Sequence, residues 1–186
     1  MMRTMSKLLT SWAAALLLAA PAAQAALAVG AAAPSFTVEA ATGGKAHPFD
    51  LAEALKRGPV VVYFYPKAFT SGCTLEAKQF ADAMPQFQAA GVSVIGLSTD
   101  DIPTLKRFSE EACRSAFPVG ADANGAVMRA YDARLAVLPN TADRISYLVT
   151  PDGRVAAVHE AMAASGHVPA MLKAAQGWRA SQPSRP

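Results

Sequence analysis

The sequence predicts an α/β fold in which a mixed central sheet is flanked by helices. Three observations predict it. Two short apolar runs rich in β-branched and aromatic residues, Pro59–Tyr65 (PVVVYFY) and Val92–Ser98 (VSVIGLS), read as buried strands. Segments with helical spacing of apolar residues lie between such runs, and this alternation is the mark of a parallel sheet covered by helices. Further on, Arg144–Glu160 (RISYLVTPDGRVAAVHE) places alternating apolar residues on both sides of Pro-Asp-Gly, a hairpin that adds an antiparallel edge.

In chain order, Ser35–Ala40 (SFTVEA) alternates like a half-buried strand, and the following Thr-Gly-Gly marks a turn. Asp50–Gly58 reads as a short helix closed by Gly58. Cys73–Ala90 carries apolar residues at Leu75, Phe80, Met84 and Phe87, a helical spacing, with Gly91 as its stop and Pro85 as an expected kink. Asp100–Cys113 opens with an aspartate cap and a proline in its first turn. A weaker strand at Ala116–Asp122 leads to a helix at Asn124–Ala133, and His167–Trp178 predicts a last amphipathic helix. The order is β-α-β-α-β, then two antiparallel strands and a helix, which is that of a thioredoxin-like fold with an N-terminal extension.

The chain of 186 residues suits one domain plus extra sequence. Residues 1–25 place Arg3 and Lys7 before an apolar run, then Pro21 and a small-x-small ending at Ala23-Gln24-Ala25, the layout of a secretory signal peptide. Pro21 and Gln24 leave the run short of the roughly 20 residues a membrane span needs. The expectation is an exported protein of the bacterial periplasm, with no stable membrane insertion after processing. Residues 26–34 read as a flexible lead-in, 35–178 as the domain and 179–186 as a loose tail. The signal segment holds two of the 17 basic residues and none of the 14 acidic ones, so the mature domain is near neutral and nucleic-acid binding is not expected.

Cys73 is one of only two cysteines, and it lies just past the end of a buried strand, where open α/β sheets place their sites. It also opens a helix, whose free N–H groups and dipole favour an anion and hence the reactive thiolate. Gly72 lets neighbouring groups approach without a Cβ, and Pro66 ends the strand where it can shield the sulfur from water. Tyr63 and Phe69 read as packing residues. His47, His159 and His167 lack metal-ligand spacing with the cysteines, so neither metal nor other cofactor is expected. In an oxidising compartment the two cysteines also fit a plain structural disulfide.

Pro66-x3-Thr70-x2-Cys73 followed by Glu76, within YPKAFTSGCTLEA, resembles the active-site motif of peroxiredoxins, and the wording is most similar to their bacterioferritin-comigratory (Q-type) branch. The resemblance runs from about Gly30 to Trp178. It implies a thiol-dependent peroxidase that reduces hydrogen peroxide or organic hydroperoxides through a Cys73 sulfenic acid. It implies that Thr70 and the Cys73 N–H hold the peroxide, and that Arg144 stabilises the thiolate with Glu76 orienting it. Read without the resemblance, Thr70 is a cap or turn residue, Arg144 a strand-end cation and Glu76 an acidic first-turn residue.

The chain departs from the branch at one point. Many members carry a resolving cysteine five residues after the first, where this chain has Lys78; others carry it on the following helix, at a position nearer Ser109 than Cys113. Cys113 is therefore the resolving candidate, one helical turn along. It would form an intramolecular disulfide after local unwinding, to be reduced by a thioredoxin-like partner. The alternatives are a buried, inert Cys113 with an external thiol completing the cycle, or a thioredoxin-like disulfide oxidoreductase. The last reading is weakened by Thr70, which stands where a C-x-x-C motif has its first cysteine. The resemblance implies a monomer or a homodimer.

Overall fold

A computed structural model describes residues 26–183. The signal-peptide expectation for residues 1–25 lies outside the described residues. In chain order the elements are β1 (Thr37–Thr42), β2 (Lys45–Asp50), α1 (Leu51–Leu55), β3 (Val60–Phe64), α2 (Ser71–Ala89), β4 (Ser93–Ser98) and α3 (Ile102–Glu111). They continue with β5 (Val119–Ala121), α4 (Ala126–Ala130), β6 (Ile145–Val149), β7 (Val155–Glu160) and α5 (His167–Ser181). Among the described residues the strands form one seven-stranded sheet in the order β2-β1-β5-β4-β3-β6-β7. The β5-β4-β3 centre is parallel, and the β1, β2, β6 and β7 pairings are antiparallel.

Period-two alternation explains why β3 is apolar throughout. Val60, Val62 and Phe64 enter one core layer with Ile95, Leu97, Tyr131 and Tyr147. Val61 and Tyr63, with Tyr65 beyond the strand end, enter the other with Phe80, Phe87, Phe108 and Met171. Every β3 residue is buried, and a side chain of this size contributes about 1.5–3 kcal/mol on burial. Gly96 on β4 makes room for Tyr63, since a Cβ there would lie 2.6 Å from the phenol Cζ.

The sheet also contains a strand that the sequence pattern does not predict. Lys45–Asp50 pairs with β1 through a two-residue turn in which Gly43 and Gly44 both have positive φ, +53° and +72°. That conformation matches the twist of a hairpin and is open to consecutive glycines. Pro48 obscures the strand in the sequence, but β2 is the outermost strand, where proline's missing N–H is tolerated.

Other boundaries shift for local reasons. Helix α2 starts at Ser71, so Cys73 is its third residue and Thr70 its N-cap; the helix runs through Pro85. On that helix Cys73, Glu76, Ala77, Phe80, Met84 and Phe87 face inward, whereas Leu75 is exposed because it is rotated off that face. Helix α3 ends at Glu111, so Cys113 sits in the following turn and not on the helix. Residues 26–34 are not a loose lead-in: Gly30 and Ala33 donate backbone hydrogen bonds to Val155 and Gly153, and Val155 donates back to Ala31. Helix α5 continues to Ser181, into the stretch expected to be a loose tail.

Candidate active site

Three segments converge at the C-terminal end of β3. The first is the turn Tyr65–Thr70, which carries the chain from β3 into α2. Asp100, just past β4, fixes this turn by accepting from the Ala68 N–H (2.7 Å) and the Ser98 hydroxyl (2.9 Å). Phe69 takes a left-handed backbone conformation (φ +64°), uncommon for a bulky residue, and its ring packs edge-on against Phe108 at 5.2 Å. The chain is thereby turned so that α2 begins at the sheet edge.

The second segment is the first turn of α2. The N–H groups of Ser71, Gly72 and Cys73 precede the first intrahelical bond, from Thr74 N–H to the Thr70 carbonyl. The Thr70 side chain is exposed and donates to the Lys67 carbonyl (3.0 Å) without capping the helix. Thr70, in extended conformation at the N-cap, stands at the same end of α2 as Cys73. Pro66, in the turn before α2, is half-buried. Cys73 itself is buried, with only 1% of its surface exposed.

The third segment enters β6 and delivers Arg144. Its Nη2 donates to Cys73 Sγ at 3.4 Å, its Nη1 donates to Glu76 Oε2, and its Nε donates to the Met162 carbonyl at 3.0 Å. The guanidinium is therefore held on three sides with its charge against the sulfur. Gly72 serves this approach: a Cβ there would stand 3.1 Å from Nη2. Arg144 and Glu76 form a buried ion pair. Desolvation pushes the Glu76 carboxyl up to about 7, although Arg144 pulls it down. Glu76 and Cys73 raise the Arg144 pKa against the effect of burial, so the cation is secure.

The structure thus joins Cys73 and Glu76 through Arg144, with Gly72 against the guanidinium and Thr70 and Pro66 in the turn that leads into α2. It does not bring Cys113 into that constellation. Cys113 lies in the apolar core layer, its N–H bonded to the Phe108 carbonyl (3.1 Å), and burial pushes its thiol well above the ordinary range. Ser109, at the alternative branch position, is buried on α3 and accepts from the Gly44 N–H at 3.0 Å. Among the described residues both cysteines are free thiols. Lys78 is exposed.

Such a constellation can hold a thiolate and hydrogen-bond the oxygens of a small oxidant. A family model for the AhpC/TSA family matches residues 29–158. This chain is a peroxiredoxin. As a peroxiredoxin it is a thiol-dependent peroxidase, an oxidoreductase with the thioredoxin-like fold. It is 32% identical over 124 residues to peroxiredoxin Bcp of Xanthomonas campestris, a match covering 62% of this chain and 74% of the relative. Against peroxiredoxin Bcp of Escherichia coli it is 36% identical over 113 residues, covering 58% and 72%. Among solved structures, peroxidoxin BcpB of Mycobacterium tuberculosis superposes with a TM-score of 0.72 at 28% identity, covering 83% of this chain and 98% of that one. The Xanthomonas campestris bacterioferritin comigratory protein, solved with trapped intermediates, gives 0.68 at 27% identity, covering 76% and 92%.

Sequence reasoning does not single out several residues of the peroxiredoxin site. Asp100 fixes the loop, Met162 contributes a carbonyl, and His167 and Ser146 stand behind Glu76. Asp100 has a readable signal, as an acidic residue directly after a buried strand. The others come from segments far apart in the chain and carry no local pattern.

Proposed function

We propose that Cys73 is the peroxidatic residue, that it reduces hydrogen peroxide and alkyl hydroperoxides, and that Cys113 closes the cycle. The observation that carries this reading is the Arg144 hydrogen bond to a buried Cys73 sulfur in the first turn of α2. The thiolate attacks the terminal peroxide oxygen; an S–O bond forms as the O–O bond breaks, and the leaving oxygen takes the electron pair and then a proton. The products are the Cys73 sulfenic acid and water or an alcohol. The Cys73 N–H and Arg144 are the donors that meet the developing charge, the Thr70 hydroxyl joins them by turning from the Lys67 carbonyl, and Pro66 limits water at the sulfur. Support for alkyl substrates comes from two sides. The Xanthomonas relative is described by its alkyl peroxide reduction activity, and Phe69 and Leu75 expose apolar surface next to the site.

In the second half-reaction Cys113 attacks the sulfenic sulfur, water leaves and a disulfide forms; a thioredoxin-like dithiol then reduces it. Both sulfurs are buried, so this step needs local opening. The turn after Cys113 is suited to it, because Arg114 and Ser115 are consecutive non-glycine residues at φ +51° and +58°. Burial of Cys113 favours a second reading, in which an external thiol reduces Cys73 directly. Treating the mature protein with one equivalent of peroxide and mapping its peptides without reduction separates the two. A Cys73–Cys113 disulfide is expected; a persistent Cys73 sulfenic acid beside free Cys113 overturns resolution by Cys113.

Export to the periplasm follows from the pattern of residues 1–25. It is tested by fractionating cells that express the full chain and sequencing the N-terminus of the product, which is expected to begin near Ala26. Size-exclusion chromatography with light scattering distinguishes a monomer from a homodimer.

A further inference from the structure

The buried network does not stop at Glu76. Its second oxygen, Oε1, lacks a hydrogen-bond partner, is fully buried and faces His167 Nδ1 at 3.6 Å. His167 is also fully buried, with Nε2 against the Ala161 carbonyl (2.8 Å) and Nδ1 against the Ser146 hydroxyl (2.8 Å). A carbonyl can only accept, so Nε2 carries the hydrogen, and in the neutral ring Nδ1 presents a lone pair. That lone pair accepts from Ser146 and looks toward Glu76. An ionised Glu76 sets lone pair against lone pair across this gap. A protonated Glu76 instead aims an O–H at Nδ1, needing only a small closure.

The titratable and charged groups facing this pair leave one cation to be shared. Arg144 and Asp143 face it from the segment entering β6, His159 from β7, Tyr63 from β3 and Cys73 from α2 itself. His159 lies edge-on to His167 at 4.6 Å, and Asp143 accepts from the Arg144 N–H. Arg144 is thus contested by two acids, the Cys73 thiol and the Glu76 carboxyl. Moving a proton from Cys73 sulfur to Glu76 turns a thiol and a carboxylate into a thiolate and a carboxylic acid, and the cluster's net charge does not change. In a desolvated site this exchange costs far less than adding a second anion. Burial acts the same way, raising Glu76 and lowering His167 to about 4, so the ring stays neutral and able to accept.

We propose that His167 is a positioning residue of the peroxidatic centre: its Nδ1 accepts a hydrogen bond from protonated Glu76 and so leaves the Arg144 charge to the Cys73 thiolate. Ser146 competes for the same lone pair and sets how firmly the proton is held. The proposal rests on Cys73 being the reacting thiol, which Cys73→Ser tests separately by abolishing peroxide consumption.

The test is the rate of Cys73 oxidation by hydrogen peroxide as a function of pH, followed by rapid quench and mass spectrometry. His167→Phe is expected to lose about tenfold near pH 6 and under about threefold near pH 8.5, because Glu76 ionises earlier and takes Arg144 from the sulfur. His167→Asn, whose Oδ1 can accept in place of Nδ1, restores most of the loss. Ser146→Ala moves the acid limb the opposite way and raises the rate near pH 6 by about twofold to threefold. In a Glu76→Gln background, Ser146→Ala no longer moves the limb. Infrared spectra provide a second readout. The reduced wild-type protein shows a protonated-carboxyl band that Glu76→Gln removes and His167→Phe weakens. A uniform loss at every pH in His167→Phe, or an acid limb unmoved by Ser146→Ala, overturns the proposal. If His167→Phe does not fold, Ser146→Ala and the infrared band decide it.

Discussion

The two cysteines are equally buried and chemically opposite. Cys73 sits in the first turn of α2, at the positive end of a nineteen-residue helix, with a guanidinium donating to its sulfur. Cys113 follows the C-terminus of α3, at the negative end of that helix, within an apolar core layer. Both thiols are desolvated, but only the Cys73 sulfur accepts from a cation. In general, position along a helix dipole and a paired cation decide whether desolvation hinders a thiolate or concentrates a charge onto it.

The comparison breaks most sharply if Cys73 is removed. Cys73→Ser is expected to reduce peroxide consumption to background, whereas Cys113→Ser leaves a Cys73 sulfenic acid with no disulfide; peroxide assays and mass spectrometry read both. Next in size is Arg144→Ala, which leaves the buried Glu76 without its cation. Because Glu76 can hold a proton instead of a charge, a loss of about 1–3 kcal/mol in stability is expected, read by denaturant unfolding. The rate of Cys73 oxidation falls by about a hundredfold to a thousandfold in the same variant, as for removal of a preorganised donor.

The charged network has its own pH signature. The Glu76 pKa is raised to about 7 in the fold, so between its unfolded value and 7 the folded state holds a proton that the unfolded state has lost, and stability falls as pH rises. The His167 pKa is lowered to about 4, so between 4 and its unfolded value the unfolded state holds the extra proton, and stability rises with pH. Between about pH 4.5 and 6.5 these slopes cancel in the wild type. Glu76→Gln removes one of them, and its stability relative to wild type is expected to climb by about 1.4 kcal/mol per pH unit across that window. Urea titrations at several pH values check this; equal slopes in both proteins would argue against the paired shifts.

The smallest expected effect sharpens the contrast at Cys73. Gly72→Ala puts a Cβ 3.1 Å from Arg144 Nη2, so the guanidinium must move by a few tenths of an ångström. Oxidation of Cys73 is expected to slow about threefold to tenfold, while helix propensity offsets the stability cost by about 0.5–1 kcal/mol. A matched pair of rate and thermal-unfolding measurements checks it.

Much of the fold and of the site is legible in the amino-acid sequence. The apolar run at Pro59–Tyr65 has no polar face to offer solvent, so it has to be a central strand. Pro-Asp-Gly between alternating residues has to turn, and Gly153 indeed holds φ +72° there. The position of Cys73 after that strand, within the Thr70 and Pro66 motif, points to the site. Local patterns suffice because each feature is encoded within a few consecutive residues. The β2 strand escapes them because Pro48 argues against a strand until its place at the sheet edge is known.

Packing between distant segments set the rest. Arg144 lies 71 positions from Cys73, and no local signal says that its guanidinium reaches the sulfur. Helix periodicity places Cys113 on α3, but the chain leaves the helix at Glu111 and turns the thiol into the core. His167 and Ser146, from a helix and a strand 21 residues apart, meet behind Glu76 only because β6 and α5 pack together. Most of the elements and the motif around Cys73 follow from short-range periodicity and backbone preference, which are written in consecutive residues. Which charges face one another in the desolvated interior depends on packing between distant segments, and that was set by the fold alone.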